Sequence, residues 1–252
     1  MAADEVTILI PHFQTLDAIR HCLRALRRHT PPGCRVRVLD NGSRDASLAY
    51  LQSLRWIELV ETGLSNDTWQ SHYDCLNEAA AAVATPHFVV MHSDLYIHDG
   101  GWLRFLRDRL VSGGYAAVGP RHQSIPVRGP WVLLWRFGAL FERKVHGGYP
   151  RLRSMCTLFE TDAFHAAGCR FTTSSVHQDI TFLVAEQLAD SGRKVLTLPA
   201  YALSRYMFHT SATTRIANHT YRKNPARHLR QVAAYRRLPA VAALLRDETL
   251  DA

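Results

Sequence analysis

The chain has 252 residues, of which 47% are hydrophobic and 21% charged, and it carries a formal net charge of +8 at neutral pH. This length allows one globular domain with its own core, and the composition excludes a disordered or fibrous protein. No apolar run is long enough to cross a bilayer, and five cysteines without a CxxC pair argue against a zinc or disulfide framework and favour a cytoplasmic location.

The first half of the chain alternates short apolar runs with stretches of helical spacing. Strands are predicted over residues 6–11, 36–39, 57–60 and from residue 88, and helices over residues 16–28, 45–54 and 69–84. The apolar run that begins at Phe88 is continuous, which is typical of a central strand of a parallel sheet. Such alternation predicts a parallel sheet with helices on both of its faces.

The second half of the chain is less regular in its hydrophobic pattern. It predicts helices over residues 102–111 and 178–190, and strands over residues 116–119, 155–160 and 195–198. Residues 121–153 are rich in proline, glycine, tryptophan and arginine without a clear period, which indicates a long functional loop. From residue 221 onward the sequence predicts a basic, helical tail that is interrupted at Pro239.

Acidic side chains follow two of the predicted strands, which we expect to be neighbours in the sheet. Asp40 ends the second strand, and Asp94 comes just after the fourth, with His92 two residues before it. Ligands of open α/β sheets bind outside the carboxyl ends of the strands, so these side chains are expected at a ligand site. Capping of the following helix is the alternative role for Asp94.

The loop after the first strand excludes two common kinds of nucleotide site. Residues 11–15 contain no glycine, so the G-x-G-x-x-G turn of nicotinamide dehydrogenases is missing, and the chain has no G-x-x-x-x-G-K-[ST] loop. A sheet that binds a nucleotide through carboxylates needs a cation to offset the phosphate charge. Oxygen-ligated Mg²⁺ or Mn²⁺ meets that need.

Several segments of the chain match the motifs of one known family. Residues 38–45 read VLDNGSRD, residues 92–94 read HSD, residues 101–103 read GWL, and residues 178–179 read QD. These segments resemble the V-D-N-G-S-x-D segment, the D-x-D motif, the G-W-L after it and the Glu-Asp pair of family 2 glycosyltransferases with the GT-A fold. The motifs are specific when taken jointly, although each is weak alone.

The resemblance covers about residues 6–215 and implies an α/β fold of the GT-A type. This fold is a single Rossmann-like domain whose central sheet is mixed but mostly parallel and is flanked by helices, here followed by a C-terminal helical tail. We expect the GT-A domain over residues 1–215, with a nucleotide-binding half at 1–120 and an acceptor-binding half at 121–215. The basic tail is expected over residues 216–252.

The resemblance also implies an enzyme that moves a sugar from a nucleoside diphosphate sugar to an acceptor, which is a small molecule, a glycan or a lipid-linked molecule. Asp179 stands at the position of the general base of an inverting reaction, which takes a proton from the acceptor. Asp94 stands at the position of the ligand of a Mg²⁺ or Mn²⁺ ion at the diphosphate. His209 resembles the late histidine that many GT-A enzymes use as a second metal ligand.

In the donor site that the resemblance implies, Asp40 hydrogen-bonds the base of the nucleotide. The other residues of this nucleotide-sugar site are Pro11, Phe13, Asn41, His92, Ser93 and Asp94. His92 departs from the family pattern, in which aspartate is frequent at this position. The departure puts the affinity for the metal and the choice of metal in question.

Three other functions stay open at this point. A nucleotidyltransferase would share the sheet and the metal, but it normally has a glycine-rich basic loop after its first strand. A nucleic-acid-binding protein would concentrate its arginines on one surface, whereas these arginines are dispersed along the chain, so no specific nucleic-acid partner is expected. The third alternative is a protein with a glycosyltransferase fold that binds its ligand without catalysis. It stays open because position 92 is histidine where the family often has aspartate.

A few further residues have two alternative roles each. Trp131, Trp135 and Phe137 either form a platform for the acceptor or pack against the sheet. His72 and Asn77, on the helix after the third strand, are assigned to packing or capping. The basic tail contacts an anionic membrane surface, forms a homodimer or is simply solvated.

Overall fold

The computed structural model describes residues 6–64, 69–122, 124–125, 145–146, 149–172, 180–209, 213–217 and 224–252. The strands in these ranges are β1 Val6–His12, β2 Arg35–Asp40, β3 Glu58–Glu61, β4 His87–Met91, β5 Tyr96–Ile97, β6 Ala117–Pro120, β7 Val145–His146, β8 Tyr149–Pro150, β9 Cys156–Glu160, β10 Val195–Leu198 and β11 Met207–Phe208. The α-helices are α1 Leu16–His29, α2 Ala46–Ser53, α3 Trp69–Ala81, α4 Trp102–Gly113, α5 Thr161–Ala166, α6 Ile180–Asp190, α7 Ala200–Leu203, α8 Thr213–Ala217, α9 Ala226–Arg236 and α10 Pro239–Arg246, and a 3-10 helix follows at Glu248–Asp251.

Seven of these strands form one central sheet in the order β10-β6-β9-β4-β1-β2-β3. Strand β9 runs antiparallel to both β4 and β6, while the remaining neighbours in the sheet are parallel. The mixed, mostly parallel sheet predicted from the resemblance is therefore confirmed. The expectation that Asp40 and Asp94 follow neighbouring strands is wrong, because β1 lies between β2 and β4.

The helices cover both faces of the sheet, as the alternation of strands and helices predicts. Side chains alternate along β1, so Ile8 and Ile10 pack on the face that α1 covers, while Leu9 packs on the opposite face with α3 and α6. Helix α1 buries Ile19 and Leu23 completely against the first of these faces. Each such buried leucine or isoleucine contributes about 1.5–3 kcal/mol to folding.

The loop after β1 has a strained backbone at two residues that are not glycine. Gln14 has φ 53° and Thr15 has φ 67°, both in the left-handed region, and such backbone costs about 1–3 kcal/mol per residue. The amide of Gln14 donates to Ser43 Oγ at 2.7 Å, and the amide of Leu16 donates to Asp45 Oδ2 at 3.3 Å. The loops after β1 and β2 are thereby tied together at the carboxyl edge of the sheet.

A small second sheet consists of β5 and β11, and β5 begins just after the turn that follows β4. The two strands are antiparallel and pair Met207 with Ile97 and Phe208 with Tyr96. The next residue, His209, forms a bridge with Ile125, with backbone hydrogen bonds of 2.8 and 3.0 Å. This pairing brings the end of β11 beside the turn that follows β4.

The tail packs on α1 through both charged and apolar side chains. Arg24 pairs with Asp251, Arg28 pairs with Asp247, and Leu244 joins the main core cluster. The predicted interruption at Pro239 is confirmed, because α10 begins there. Within the described ranges, no helix is long and apolar enough to span a membrane. The domain boundaries remain a prediction.

Candidate active site

Asp94 lies in the turn between β4 and β5, and its side chain is almost completely buried. Its Oδ1 accepts a hydrogen bond from His209 Nε2 at 3.0 Å, and its Oδ2 accepts one from the amide of Thr213 at 3.2 Å. At the start of α4 it is Asp99 that accepts from the amide of Gly101, at 2.8 Å. The alternative in which Asp94 caps that helix is therefore wrong.

The charge state of Asp94 follows from these contacts. Burial raises the pKa of this carboxyl. This effect is outweighed by the charge and hydrogen bond of His209, and further by the charge of His92 and the hydrogen bond from Thr213. The pKa of Asp94 therefore lies well below its ordinary value. Asp94 is therefore an anion at neutral pH. Because an ionised carboxylate only accepts hydrogen bonds, the proton between it and His209 is on His209 Nε2.

His92 completes a cluster of three ligand atoms with Asp94 and His209. Its Nδ1 lies 3.9 Å from Asp94 Oδ1, and its ring stands edge-on to the ring of His209 with the centroids 5.4 Å apart. The other ring nitrogen, Nε2, lies 2.8 Å from Ser154 Oγ. A hydrogen bond on the far nitrogen is the usual way in which a metal-binding histidine is oriented.

The donor set of this cluster fits a divalent cation. One atom from each of His92, Asp94 and His209 can be chosen so that all three lie within 4.8 Å of one another. A carboxylate and two imidazoles are ligands that first-row divalent ions accept. Binding to His209 Nε2 requires loss of the proton that it now donates to Asp94. The resemblance assigned Asp94 and His209 to the metal, and the geometry adds His92 as a third candidate.

Asp40 ends β2 and is 2% exposed. Its Oδ2 accepts a hydrogen bond from the amide of Ser43 at 2.9 Å, which closes the turn after the strand. Its Oδ1 is also buried, and among the described residues it has no hydrogen-bond partner. One carboxylate oxygen therefore stabilises the turn, while the other is available as a hydrogen-bond acceptor.

His12 lies opposite Asp40 on the neighbouring strand, and it was not among the residues selected from the sequence. Its Nε2 is 2.9 Å from Ser47 Oγ, and the Ser47 hydroxyl donates to Asp45 Oδ1. Since that hydroxyl has one proton, His12 must carry its own proton on Nε2, and Nδ1 is a lone-pair acceptor. Nδ1 is buried, and the part of the chain that the structure describes gives it no partner.

Burial keeps His12 neutral in this position. It lowers the pKa of His12 from 6.5 to about 4, against the opposing effect of the carboxylates of Asp40 and Asp45. His12 Nδ1 and Asp40 Oδ1 are thus two buried acceptors on paired residues of adjacent strands. The one signal that could have found His12 in the sequence is an ionisable residue directly after Pro11, at the end of a central strand.

The other predicted donor-site residues lie at the same edge of the sheet. Pro11 and Ser93 are buried, and Phe13 is half-buried in the strained loop. Asn41 is buried and its side chain is used inside the fold, because Nδ2 donates to Cys75 Sγ at 3.4 Å and Oδ1 accepts from Thr62 Oγ1 at 3.0 Å. Contact of these four residues with a nucleotide sugar stays a prediction.

Several predicted positions are either structural or outside the described residues. Asn77 forms hydrogen bonds with both backbone groups of Phe171: Nδ2 donates to the carbonyl at 2.9 Å, and Oδ1 accepts from the amide at 2.8 Å. Its packing role is therefore confirmed. Asp179 lies outside the described residues, and α6 begins at the next position. The aromatic residues proposed as an acceptor platform, Trp131, Trp135 and Phe137, also lie outside them.

The order of the central sheet, with β9 antiparallel to both of its neighbours and helices on both faces, agrees with a fold of the GT-A type. The family model of glycosyl transferase family 2 matches residues 7–181, which is more than half of the chain. The chain therefore belongs to glycosyl transferase family 2. His209, Thr213 and the tail lie beyond the matched residues. A comparison with curated proteins gave no match.

Solved glycosyltransferase structures share this fold at low sequence identity. TarS 1–349 from S. aureus is 14% identical, with a TM-score of 0.59 over 82% of this chain and 60% of that one. TarS 1–349 in complex with UDP-GlcNAc is 12% identical, with a TM-score of 0.59 over 97% of this chain and 72% of that one. The mannosyltransferase PcManGT from Pyrobaculum calidifontis, in complex with GDP-Man and Mn²⁺, is 18% identical, with a TM-score of 0.58 over 97% of this chain and 68% of that one. This chain therefore covers 60% of the length of TarS 1–349 in the first of these structures.

Proposed function

We propose that this chain transfers a sugar from a nucleoside diphosphate sugar to an acceptor, with a divalent cation held by Asp94, His209 and His92. The observation that carries the proposal is the convergence of three ligand atoms within 4.8 Å at the carboxyl edge of the sheet. Membership of glycosyl transferase family 2 supports the reaction class. The solved relatives contain GDP-Man with Mn²⁺ in one case and UDP-GlcNAc in another, which supports a nucleotide sugar as donor.

In this proposal the base of the donor lies over the carboxyl ends of β1 and β2. Asp40 Oδ1 and His12 Nδ1 are the two buried acceptors there, so they suit a base edge that presents ring N–H or amino groups. Phe13, in the strained loop, offers a ring for stacking on the base. Non-glycine residues with left-handed backbone are often found at ligand sites, which supports this use of the loop.

The diphosphate lies beside Asp94 in this arrangement. A bound cation there would offset the charge that develops on the leaving diphosphate. The residues of the chain hold the site: Asp94 stays ionised, and Ser154 orients the ring of His92. Asp179, one residue before α6, is proposed as the general base that takes the proton of the acceptor in an inverting reaction. Its support is the match of residues 178–179 to the family motif.

The cation that we propose is Mn²⁺ rather than Mg²⁺. Mg²⁺ prefers oxygen ligands in a strict octahedron, whereas first-row transition ions accept imidazole nitrogen readily. Two of the three candidate ligands are imidazoles, because His92 stands where the family often has aspartate. The acceptor is a small molecule, a glycan or a lipid-linked molecule. A cytoplasmic location is part of the proposal and agrees with the five free cysteines.

A thermal-shift screen tests the proposed function directly. UDP, GDP and their sugar conjugates are each added with and without Mn²⁺, and Asp94→Asn is the matched control. A ligand at about 100 times its Kd stabilises the native state by about 2.7 kcal/mol, which corresponds to a rise of roughly 5–10 °C for a chain of this size. We expect such a rise for at least one nucleotide sugar, dependent on Mn²⁺ and absent in the variant. The absence of any shift across the whole screen would contradict the proposal.

A further inference from the structure

Helix α9 (Ala226–Arg236) buries only two of its residues, His228 and Tyr235. They are seven positions apart, which is two helical turns, so both side chains lie on the same face of the helix. The residues around them are largely exposed, including Arg227 and Arg230. At its end, Arg236 also binds the side chain and the carbonyl of Asp17 on α1. The two buried side chains, His228 and Tyr235, both reach the surroundings of Asp94.

Tyr235 packs on the strand pair that carries two of the candidate metal ligands. Its ring centroid lies 4.4 Å from that of Phe208 and 5.8 Å from that of Tyr96. Phe208 directly precedes His209, Tyr96 follows Asp94 by two residues, and the two aromatic residues are register partners in the β5–β11 pair. Tyr235 thus covers the Tyr96–Phe208 pair, which lies next to the residues that form the Asp94–His209 hydrogen bond.

His228 reaches the same carboxylate by a second route. Its Nε2 lies 3.4 Å from Thr213 Oγ1, and the amide of Thr213 donates to Asp94 Oδ2 at 3.2 Å. His228 is thus linked to Oδ2 of Asp94 through Thr213. Tyr235 contacts Tyr96 and Phe208, which lie close in the chain to Asp94 and His209, the two residues joined at Oδ1.

The strand pair needs this support because it is very short. Strands β5 and β11 have two residues each, and an isolated pair of that length is not stable in water. A site that binds a ligand through several side chains tolerates displacements of only about 0.5 Å. The separation of Asp94 and His209 therefore depends on whatever packs against β5 and β11, and Tyr235 joins Tyr96, Phe208 and Val241 in a buried cluster of their own.

We propose that α9 is the positioning element of the metal centre, with Tyr235 and His228 as positioning residues. Tyr235 holds the β5–β11 pair so that Asp94 and His209 stay within bonding distance of one cation, and His228 holds Thr213 against Asp94. Neither residue touches the cation. The inference rests on the proposed metal role of Asp94 and His209, and it extends the site beyond the residues 7–181 that the family model matches.

Three variants test this proposal. Tyr235→Ala removes the ring from the strand pair, and Tyr235→Phe keeps the ring and removes only the hydroxyl, which lies 3.3 Å from His98 Nδ1. Leu244→Ala is the matched control, because this buried residue belongs to the tail but packs in the main core cluster. Imidazole ¹H–¹⁵N spectra of the metal-free protein report the hydrogen bond of His209 to Asp94, and calorimetry gives the affinity for Mn²⁺.

We expect Tyr235→Ala to move the imidazole signals of His209 and to weaken Mn²⁺ binding about tenfold or more. Tyr235→Phe should keep both properties, and Leu244→Ala should lower the melting temperature without changing either. A folded Tyr235→Ala protein with unchanged His209 signals and unchanged Mn²⁺ affinity would overturn the proposal. If the parent chain binds no Mn²⁺, the proposed metal role fails, while the His209 signals still test the positioning role.

A fourth variant keeps the test decisive if Tyr235→Ala does not fold. His228→Leu retains most of the buried volume and removes the contact with Thr213 Oγ1. We expect it to move the His209 signals less than Tyr235→Ala does and to weaken Mn²⁺ binding about threefold. Unchanged signals together with unchanged affinity in this variant would also overturn the proposal.

Discussion

His209 Nε2 lies 3.0 Å from Asp94 Oδ1, although the two residues are 115 positions apart in the chain. Asp94 comes from the turn after a central strand, and His209 follows a two-residue strand near the tail. Both side chains are buried; Asp94 lies two residues before β5, and His209 directly follows β11, the strand that pairs with β5. The candidate metal centre is thus assembled from one segment inside the family match and one segment beyond it.

Replacing Asp94 by asparagine tests the carboxylate at the centre of this cluster. The amide side chain keeps an oxygen that accepts from His209, but it lacks the charge that a divalent cation requires. We therefore expect Mn²⁺ affinity to fall by about a hundredfold or more, measured by calorimetry. Asp99→Asn is the control, because Asp99 is a nearby acid that binds the amide of Gly101 instead. Equal Mn²⁺ affinity in Asp94→Asn and the parent chain would refute the metal role.

The choice of metal can be tested at His92. His92→Asp replaces an imidazole nitrogen by a carboxylate oxygen beside Asp94, which favours Mg²⁺ relative to transition ions. We expect the ratio of the Mg²⁺ and Mn²⁺ dissociation constants to fall by roughly tenfold in this variant. Titration of the same sample with both ions gives the ratio without reference to protein activity. A ratio that does not change would mean that His92 is not a ligand.

Asp179→Asn tests the proposed general base. The variant keeps the size of the side chain but cannot take a proton from the acceptor, and general bases contribute about 10²–10⁴-fold to such reactions. We expect turnover to fall within this range while the affinity for the nucleotide sugar stays unchanged. Asp190→Asn, at the other end of α6, is the matched control and should retain turnover. Near-native turnover in Asp179→Asn would remove it as the base.

Local patterns predicted most of the strands and helices, because hydrophobic spacing directly reflects burial along one element. Val195–Leu198 was predicted with the observed bounds, and the helical tail is interrupted at Pro239 as predicted. Sheet order was not predicted correctly, since the chain order of strands does not show that β1 lies between β2 and β4. The ends of the predicted strands singled out Asp40 and Asp94, and the resemblance supplied their expected roles together with His209.

The remaining parts of the site depend on contacts between distant segments. The proposed role of His12 follows from its register with Asp40 and from the Ser47–Asp45 contact that fixes its proton, neither of which is visible in the sequence. Tyr235 reaches the site only because α9 folds back over β5 and β11. A basic, exposed helix with two buried residues gives no periodic signal for such a contact.

Acid should destabilise the protein through its buried histidines. Burial, together with the charge of Arg236, lowers the pKa of His21 from 6.5 to about 3. Because the folded pKa lies below the unfolded one, the unfolded state binds more protons as the pH falls. Above pH 6.5, His21 is neutral in both states and the free energy of unfolding does not depend on it. As the pH falls from 6.5 towards 3, the free energy of unfolding decreases by about 1.4 kcal/mol per pH unit, because the unfolded chain takes up a proton that the folded chain does not.

His21→Phe should remove the part of this pH dependence that comes from His21. The ring of His21 stacks on Tyr96 with the centroids 4.0 Å apart, and a phenyl ring can keep that contact without an ionisable group. We expect urea midpoints of the variant to fall less than those of the parent chain between about pH 6.5 and pH 4. If both proteins lose stability in parallel over this interval, His21 does not contribute to the acid sensitivity.

The ion pair between Arg24 and Asp251 should contribute more to stability than the pair between Arg28 and Asp247, which also joins the tail to α1. Arg24 is 4% exposed, and its Nε donates to Asp251 Oδ1 at 2.9 Å, where the hydroxyl of Tyr50 also donates at 2.8 Å. Asp251→Asn leaves a buried guanidinium without its counter-charge, and we expect a loss of about 3 kcal/mol in the free energy of unfolding.

The control for this variant is Arg28→Ala, which breaks the pair with Asp247 at the surface. The side chain of Arg28 is 48% exposed, so water and salt already screen its charge, and its removal should leave the unfolding midpoint almost unchanged. Guanidinium chloride contains salt that weakens ion pairs, so urea is the suitable denaturant for both variants. The Arg24–Asp251 and Arg28–Asp247 pairs differ chiefly in exposure. Equal urea midpoints for Asp251→Asn and Arg28→Ala would therefore show that the burial of Arg24 does not strengthen its ion pair.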